Sequence, residues 1–253
     1  MVAVEFQNIV KTFPGAGYPA LDHISLSIPE GELVTILGTS GCGKTTLIKM
    51  VNRLYEPDEG TILVKGEDIA RTDPVELRRS IGYVIQQIGL FPHMTVADNI
   101  ATVPKILKWD KVSIANRVNE LLEMVNLDPG EFRDRYPSQL SGGQQQRIGL
   151  ARALAADPDI MLLDEPFGAI DAINREKLQD SLKDIHARSG KTFLFVTHDI
   201  GEAFKLGTTV ILMDKGRIEQ AGTPADIVDH PAGEFVEQFL KSAGQFRLPE
   251  DRS

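Results

Sequence analysis

Leu33-Val34-Thr35-Ile36-Leu37-Gly38-Thr39-Ser40-Gly41-Cys42-Gly43-Lys44-Thr45-Thr46 runs from an apolar strand pattern through a glycine-rich turn into the start of a helix. An unbroken apolar or β-branched run such as Leu33 to Leu37 is what a strand buried on both faces of a parallel sheet requires. Gly38 to Thr45 then matches the phosphate-loop pattern, in the strand-to-helix setting that the pattern needs. Glycines let the backbone wrap an anion closely, so that several N–H groups point at it, and the following helix adds the positive end of its dipole. Lys44 is the residue expected to neutralise β and γ phosphates, and the Thr45 hydroxyl the one expected to ligate Mg²⁺. The cradle as a whole takes in Gly38, Thr39, Ser40, Gly41, Cys42, Gly43, Lys44, Thr45 and Thr46.

Outward from this stretch, Ile160-Met161-Leu162-Leu163, Phe193-Leu194-Phe195-Val196 and Val210-Ile211-Leu212-Met213 repeat the buried-strand pattern, the last one running into a tight turn at Lys215-Gly216. Val4 to Ile28 alternates apolar and polar residues instead, as a half-exposed antiparallel sheet does. Between Phe91 and Asp157 the period becomes helical. Val112, Val118, Leu121, Leu122 and Val125 fall at helix spacing, and Asp128-Pro129-Gly130 reads as a stop. The expected organisation is an α/β fold. A nucleotide-binding core spans residues 1–90 and 156–225, a mostly helical subdomain spans 91–155, and a short helical tail spans 226–253.

A chain of 253 residues with 42% hydrophobic and 25% charged residues suits a globular protein with a full core. The net charge of −9 and sequence pI of about 5.1 argue against broad binding to nucleic acid, which needs a basic surface. Cys42 is the only cysteine, so no internal disulfide is available and a reducing compartment is the natural setting. No signal-peptide pattern opens the sequence, and no apolar run approaches the roughly 20 residues of a bilayer span. If the protein works at a membrane, something else must hold it there.

Asp164-Glu165 ends the apolar strand Ile160 to Leu163, which puts both carboxylates at the carboxyl edge of the sheet, where ligands of such folds collect. Alone, an acidic pair there is often a helix cap or a solvated turn. With a phosphate loop in the same chain, Asp164 becomes the expected holder of Mg²⁺ and Glu165 the expected general base for an attacking water. The hydroxyl of Ser141 and the first N–H groups of the helix that follows it form a second anion seat.

Taken together, the phosphate loop, Asp164-Glu165, Thr197-His198-Asp199 and Leu140-Ser141-Gly142-Gly143-Gln144 resemble the ATP-binding cassette ATPases over nearly the whole chain. The resemblance implies a P-loop NTPase (RecA-like) core with an N-terminal antiparallel β subdomain and an inserted α-helical subdomain. It implies ATP and Mg²⁺ as cofactors, His198 as the switch histidine and Gln86 as the Mg²⁺- and water-sensing glutamine, with Gln87 the neighbouring alternative. Adenine is expected to stack on Phe13, with Tyr18 as the alternative because Pro14-Gly15-Ala16-Gly17 lengthens that loop. Ser141, Gly142, Gly143 and Gln144 are expected to cap the γ-phosphate bound by a second copy, in a C₂ arrangement holding two ATP molecules. Asp171, in Gly168-Ala169-Ile170-Asp171, matches the dimer loop, with Ile170 where leucine is usual. Cys42, beside Lys44 and a helix start, is expected to have a lowered thiol pKa, so that alkylation blocks ATP binding and ATP protects against it.

A narrower resemblance runs through Met50-Val51-Asn52-Arg53-Leu54, the segment Ile81 to Thr95 and Tyr136-Pro137-Ser138-Gln139-Leu140. These stretches are similar to the ATPases of glycine betaine, carnitine and choline uptake systems. The implied protein is the ATP-hydrolysing subunit of an importer of a quaternary amine osmoprotectant. It would sit on the cytoplasmic face of the membrane against transmembrane permease subunits, with a substrate-binding protein as an indirect partner. Phe91-Pro92-His93-Met94 is expected to line the permease-docking groove. Many members of that group carry a pair of regulatory CBS domains after the core, and regulation through such domains is not expected from the 253 residues here. Other solutes, such as amino acids or polyamines, and a cassette ATPase outside transport are the competing readings.

Overall fold

A computed structural model of the chain describes residues 1–85, 89–168 and 172–242, apart from the side chains of 172–174. In chain order the elements begin with β1 (Val2–Lys11), β2 (Leu21–Pro29), β3 (Leu33–Gly38), α1 (Lys44–Val51), β4 (Glu59–Val64), β5 (Glu67–Asp68) and α2 (Pro74–Ser80). There follow β6 (Ile81–Val84), α3 (Val96–Ile100), α4 (Thr102–Ile106), α5 (Lys111–Met124), α6 (Pro129–Phe132), α7 (Gly142–Leu154), β7 (Ile160–Asp164) and α8 (Ala172–Ser189). The chain closes with β8 (Thr192–Val196), α9 (Ile200–Leu206), β9 (Thr209–Asp214), β10 (Arg217–Gly222), α10 (Pro224–Asp229) and α11 (Glu234–Ser242). Two compact units result: Met1–Arg78 with the segment from Thr192 onward, and Arg79–Lys191.

The first unit holds two kinds of sheet. The alternating N-terminal stretch forms the expected antiparallel sheet, in the order β2-β1-β4-β5. β3 pairs in parallel with β8 on one side and β9 on the other, with Val34 opposite both Leu194 and Thr209. β3 and β8 are buried at every position, which explains their continuous apolar runs. Thr35, the polar exception in β3, donates its hydroxyl to the Ala203 carbonyl at 3.1 Å. β10 returns antiparallel on β9 through Lys215 (φ 44°) and Gly216 (φ 81°), the double left-handed geometry of a tight hairpin. α10 and α11 bury Ile227, Val236 and Leu240 against Leu37, Val210 and Leu212.

In the second unit β6 and β7 pair in parallel, Ile81 opposite Ile160 through Val84 opposite Leu163. α7 packs on β6, α3 and α5. α5 buries Val118, Leu121 and Leu122, but Val112 is 69% exposed and lies off that apolar face. At about 100° per residue Val112 falls on a different side of the helix from Val118, Leu121 and Leu122, and it sits in the first turn, where Asp110 caps the helix through the N–H groups of Val112 and Ser113 at 3.0 Å. Asp128-Pro129-Gly130 proves to be a start. Asp128 caps α6 through the Glu131 N–H, and Pro129 occupies a first-turn position, where its missing N–H costs nothing. α5 has already ended at Met124, with Asn126 in the left-handed region at φ 57°. Among the described residues no helix is long and apolar enough to cross a membrane.

Candidate nucleotide-binding site

The phosphate loop of the first unit leaves the carboxyl end of β3 and enters α1. Gly38 and Gly43 are fixed by geometry. A Cβ on Gly38 would run into the Met213 carbonyl, and one on Gly43 into the Ala20 carbonyl, with Gly43 also at φ 106°. Gly43 is the N-cap of α1 and offers no side-chain acceptor to the first turn. Lys44 is 5% exposed and folds into its own loop, its Nζ donating to the Gly38 and Thr39 carbonyls at 2.9 Å each. An ammonium held inside a glycine-rich turn at a helix start suits a polyphosphate. Thr39 donates its hydroxyl to Asp214 at 3.0 Å. Ser40 and Gly41 are exposed, while Thr45 and Thr46 are half-buried in the first turn.

A cleft of about 820 Å³ opens beside this loop, lined by Tyr18, Pro19, Thr39, Ser40, Asp214 and Lys215 among others. Tyr18 is 72% exposed there. Phe13 is half-buried, its ring edge-on to Tyr55 with centroids 5.2 Å apart and Lys11 Nζ 5.8 Å from its centre. Both aromatic candidates therefore lie in the first unit, and only Tyr18 lines the cleft.

Cys42 reverses the expectation for its thiol. It is 2% exposed, and burial pushes its pKa above the ordinary 9.0 despite the neighbouring Lys44, whose charge and hydrogen bonding act the other way. Desolvation of the thiolate is the larger effect. The residue is a protonated, packed side chain, and ready alkylation does not follow from its position.

His198 is exposed just beyond β8, and the Thr197 N–H continues the β3–β8 ladder to the Ile36 carbonyl at 3.1 Å. Since Ile36 faces Val196, His198 stands two positions past that pair, as Gly38 does on β3. The unit thus sets the histidine and the phosphate loop at the same edge of adjacent parallel strands.

The second unit carries the carboxylates and the other anion seat. Asp164 ends β7 and is 5% exposed. Glu165 follows at φ 46°, a left-handed conformation that costs a non-glycine residue about 1–2 kcal/mol, and its carbonyl accepts the Gly168 N–H in a turn at 3.2 Å. Backbone strain of this kind is found often at functional positions. Ser141 and Gln144 close a reciprocal box: Ser141 Oγ accepts the Gln144 N–H at 3.3 Å, and Gln144 Oε1 accepts the Ser141 N–H at 2.9 Å. Ser141 Oγ acts as an acceptor in that box, and Ser141 and Gly142 are exposed while Gly143 is half-buried. Gln86 and Asp171 lie outside the described residues.

Asn99 was not singled out by its sequence context. It is fully buried, receives the Phe91 N–H at 2.8 Å and donates to the carbonyls of Phe91, Met94 and Thr95 at 3.0–3.2 Å. One carboxamide therefore fixes the loop that holds Phe91 to Met94. No local pattern announces it, because its partners are carbonyls that only the folded loop gathers. Phe91 remains 39% exposed, its ring against His93 and the guanidinium of Arg152.

Residues 21–168 match the family described as ABC transporter. The chain is 53% identical over 247 residues to the choline transport ATP-binding protein OpuBA of Bacillus subtilis (strain 168), covering 98% of this chain and 64% of that protein. It is 51% identical over 249 residues to the glycine betaine/carnitine/choline transport ATP-binding protein OpuCA of the same organism, with the same two coverages. The chain thus spans a little under two thirds of the length of these relatives. Among solved structures, the dimeric post-hydrolysis state of the ATP-binding cassette MJ0796 bound to ADP and Pi is similar. It matches with a TM-score of 0.76 at 37% identity over 87% of this chain and 98% of that one. The matched family segment contains the phosphate loop, Ser141-Gly142-Gly143-Gln144 and Asp164-Glu165 within one α/β fold, and the chain belongs to the ABC transporter family of ATP-binding cassettes.

Proposed function

We propose that this chain is the ATP-hydrolysing subunit of an importer for a quaternary amine osmoprotectant such as glycine betaine, carnitine or choline. The observation that carries the ATPase reading is the pairing of a preorganised phosphate loop, with Lys44 folded into it, and an exposed serine-capped helix start in one cassette. The solute is supported by the names of the relatives that match at about half identity over nearly the whole chain.

In this reading the loop N–H groups and Lys44 bind the β and γ phosphates, and Phe13 stacks on adenine, with Tyr18 as the competing ring. Thr45 and Asp164 offer the hard oxygen donors that suit Mg²⁺, and Gln86 joins them. When bound, that ion supplies charge neutralisation on the phosphate oxygens. Glu165 takes a proton from the attacking water, and His198 donates toward the γ-phosphate and keeps the water in line. Ser141, with the N–H groups of Gly142, Gly143 and Gln144, caps the γ-phosphate held by a second copy, and Asp171 belongs to the facing dimer loop. Residues 91–155 act as the helical subdomain, whose Phe91–Met94 loop receives a permease subunit at the cytoplasmic face of the membrane. A substrate-binding protein delivers the solute from the other side. ATP closes the pair of copies and hydrolysis reopens it, a two-state cycle whose bias is the bridging phosphate.

Glu165→Gln tests the cycle. With saturating ATP the variant is expected to run as a stable dimer in sedimentation velocity, with turnover lost by at least about a hundredfold. A variant that hydrolyses ATP normally, or that stays monomeric with its permease present, overturns the reading. The solute is tested by uptake of radiolabelled choline and glycine betaine in cells that depend on this subunit. Uptake of neither, with amino acids or polyamines carried instead, replaces the quaternary amine.

A further inference from the structure

Behind His198 lies a buried hydrogen-bonded relay that the cycle above does not use. Asp199 is the N-cap of α9 and accepts the Glu202 N–H at 3.0 Å. In an ordinary capping box the acidic residue at the third helical position reaches back to the N–H of the cap residue. Here a hydroxyl stands in between. The Asp199 N–H goes to Thr197 Oγ1 at 3.0 Å, and Thr197 Oγ1 donates onward to Glu202 Oε2 at 2.7 Å. Thr197 and Glu202 are 2% and 6% exposed, whereas His198 between them and the ligand edge is exposed.

The arrangement pins the backbone on both sides of His198. On one side the Thr197 N–H is tied to Ile36 of β3, and on the other the Asp199 N–H is tied to the Thr197 hydroxyl. A buried carboxyl is costly unless it is hydrogen-bonded, and the Thr197 hydroxyl supplies Glu202 with a donor at 2.7 Å. We infer that Thr197 and Glu202 are positioning residues for His198: their buried bond fixes the turn that aims the imidazole from the edge of β8. The inference rests on the ATPase reading above and adds to it two residues that touch no nucleotide.

The test compares Thr197→Val, which keeps shape and loses the hydroxyl, with Thr197→Ser, which keeps the hydroxyl. Both are measured in the full chain, alone and in the His198→Ala background, by steady-state ATP hydrolysis. The imidazole resonance of His198 is followed by NMR. Thr197→Val is expected to lower kcat about tenfold with KM for ATP unchanged within about twofold, because the phosphate loop is untouched. Thr197→Ser restores at least about half of kcat. The His198 resonance moves in Thr197→Val and returns in Thr197→Ser. In the His198→Ala background Thr197→Val adds less than about a twofold loss. A wild-type kcat and an unmoved His198 resonance in Thr197→Val overturn the inference, as does a serine variant as impaired as the valine one. Failure of the ATPase reading looks different: His198→Ala and Glu165→Gln would then turn over like the wild type.

Discussion

The start of α1 and the start of α7 are both suited to an anion, and they are finished in opposite ways. At α1 the cap is Gly43, with no side chain to offer, and Lys44 is folded into the loop ahead of it. At α7 the cap is Ser141, already bonded to the Gln144 N–H while Gln144 reaches back to the Ser141 N–H. The first start has no side-chain cap of its own and is shaped by the loop ahead of it. The second is a satisfied helix end that is stable alone and needs only its hydroxyl proton and remaining N–H groups to meet a phosphate. Such a division suits a nucleotide bound tightly by one copy and covered reversibly by another, since the cover must come off without leaving the helix unfinished.

The largest effect that could break this comparison is at Lys44. Lys44→Ala is expected to weaken ATP binding at least about a hundredfold in a titration of the isolated chain, the worth of a charge-assisted phosphate contact at ~2.7 kcal/mol. Retained affinity would mean that the loop is not the primary grip. Next comes Ser141, where two substitutions separate the cap from the cover. Ser141→Asp is as good a cap and should keep the melting temperature within a few degrees, yet its negative charge should abolish ATP-dependent dimerisation. Ser141→Ala should cost about 1 kcal/mol of stability and weaken dimerisation more mildly, with nucleotide affinity of the monomer unchanged. If the aspartate variant dimerises like the wild type, the second seat does not meet phosphate.

The smallest effect concerns Cys42. With its thiol pKa raised by burial, thiolate is scarce at neutral pH, and iodoacetamide should modify the folded protein much more slowly than a free thiol. The sign for stability follows from the same shift. The folded state holds this proton more tightly than the unfolded state. The contribution is therefore fully present below pH 9.0, the ordinary value, and is lost as the pH rises through the higher folded value. Rapid modification at pH 7, or a Cys42→Ala protein with the same alkaline loss, would count against the buried thiol.

Much of the candidate site was legible because its parts are local. A strand, a glycine turn and a helix start are contiguous in Leu33 to Thr46, and Asp164-Glu165 follows its strand directly. Thr197-His198-Asp199 stood out as a motif, but the bond from the Thr197 hydroxyl to Glu202 did not, since it depends on how the start of α9 is turned. Asp128-Pro129-Gly130 misled because the same residues that punctuate a chain can begin a helix as well as end one.

From its residues alone the chain determined the parallel-strand core, the antiparallel N-terminal sheet, the phosphate loop and the serine-capped helix, all of which depend on periodicity or on neighbours a few positions away. Only the tertiary structure decided that Cys42 is buried and its pKa raised, that Asn99 gathers the carbonyls of a loop, and that Glu202 reaches Thr197. These depend on how much surrounding protein replaces water at a given atom. Desolvation is set by chain segments far away in sequence, while the bonds of Asn99 and Glu202, though close in sequence, need a loop conformation that only packing fixes.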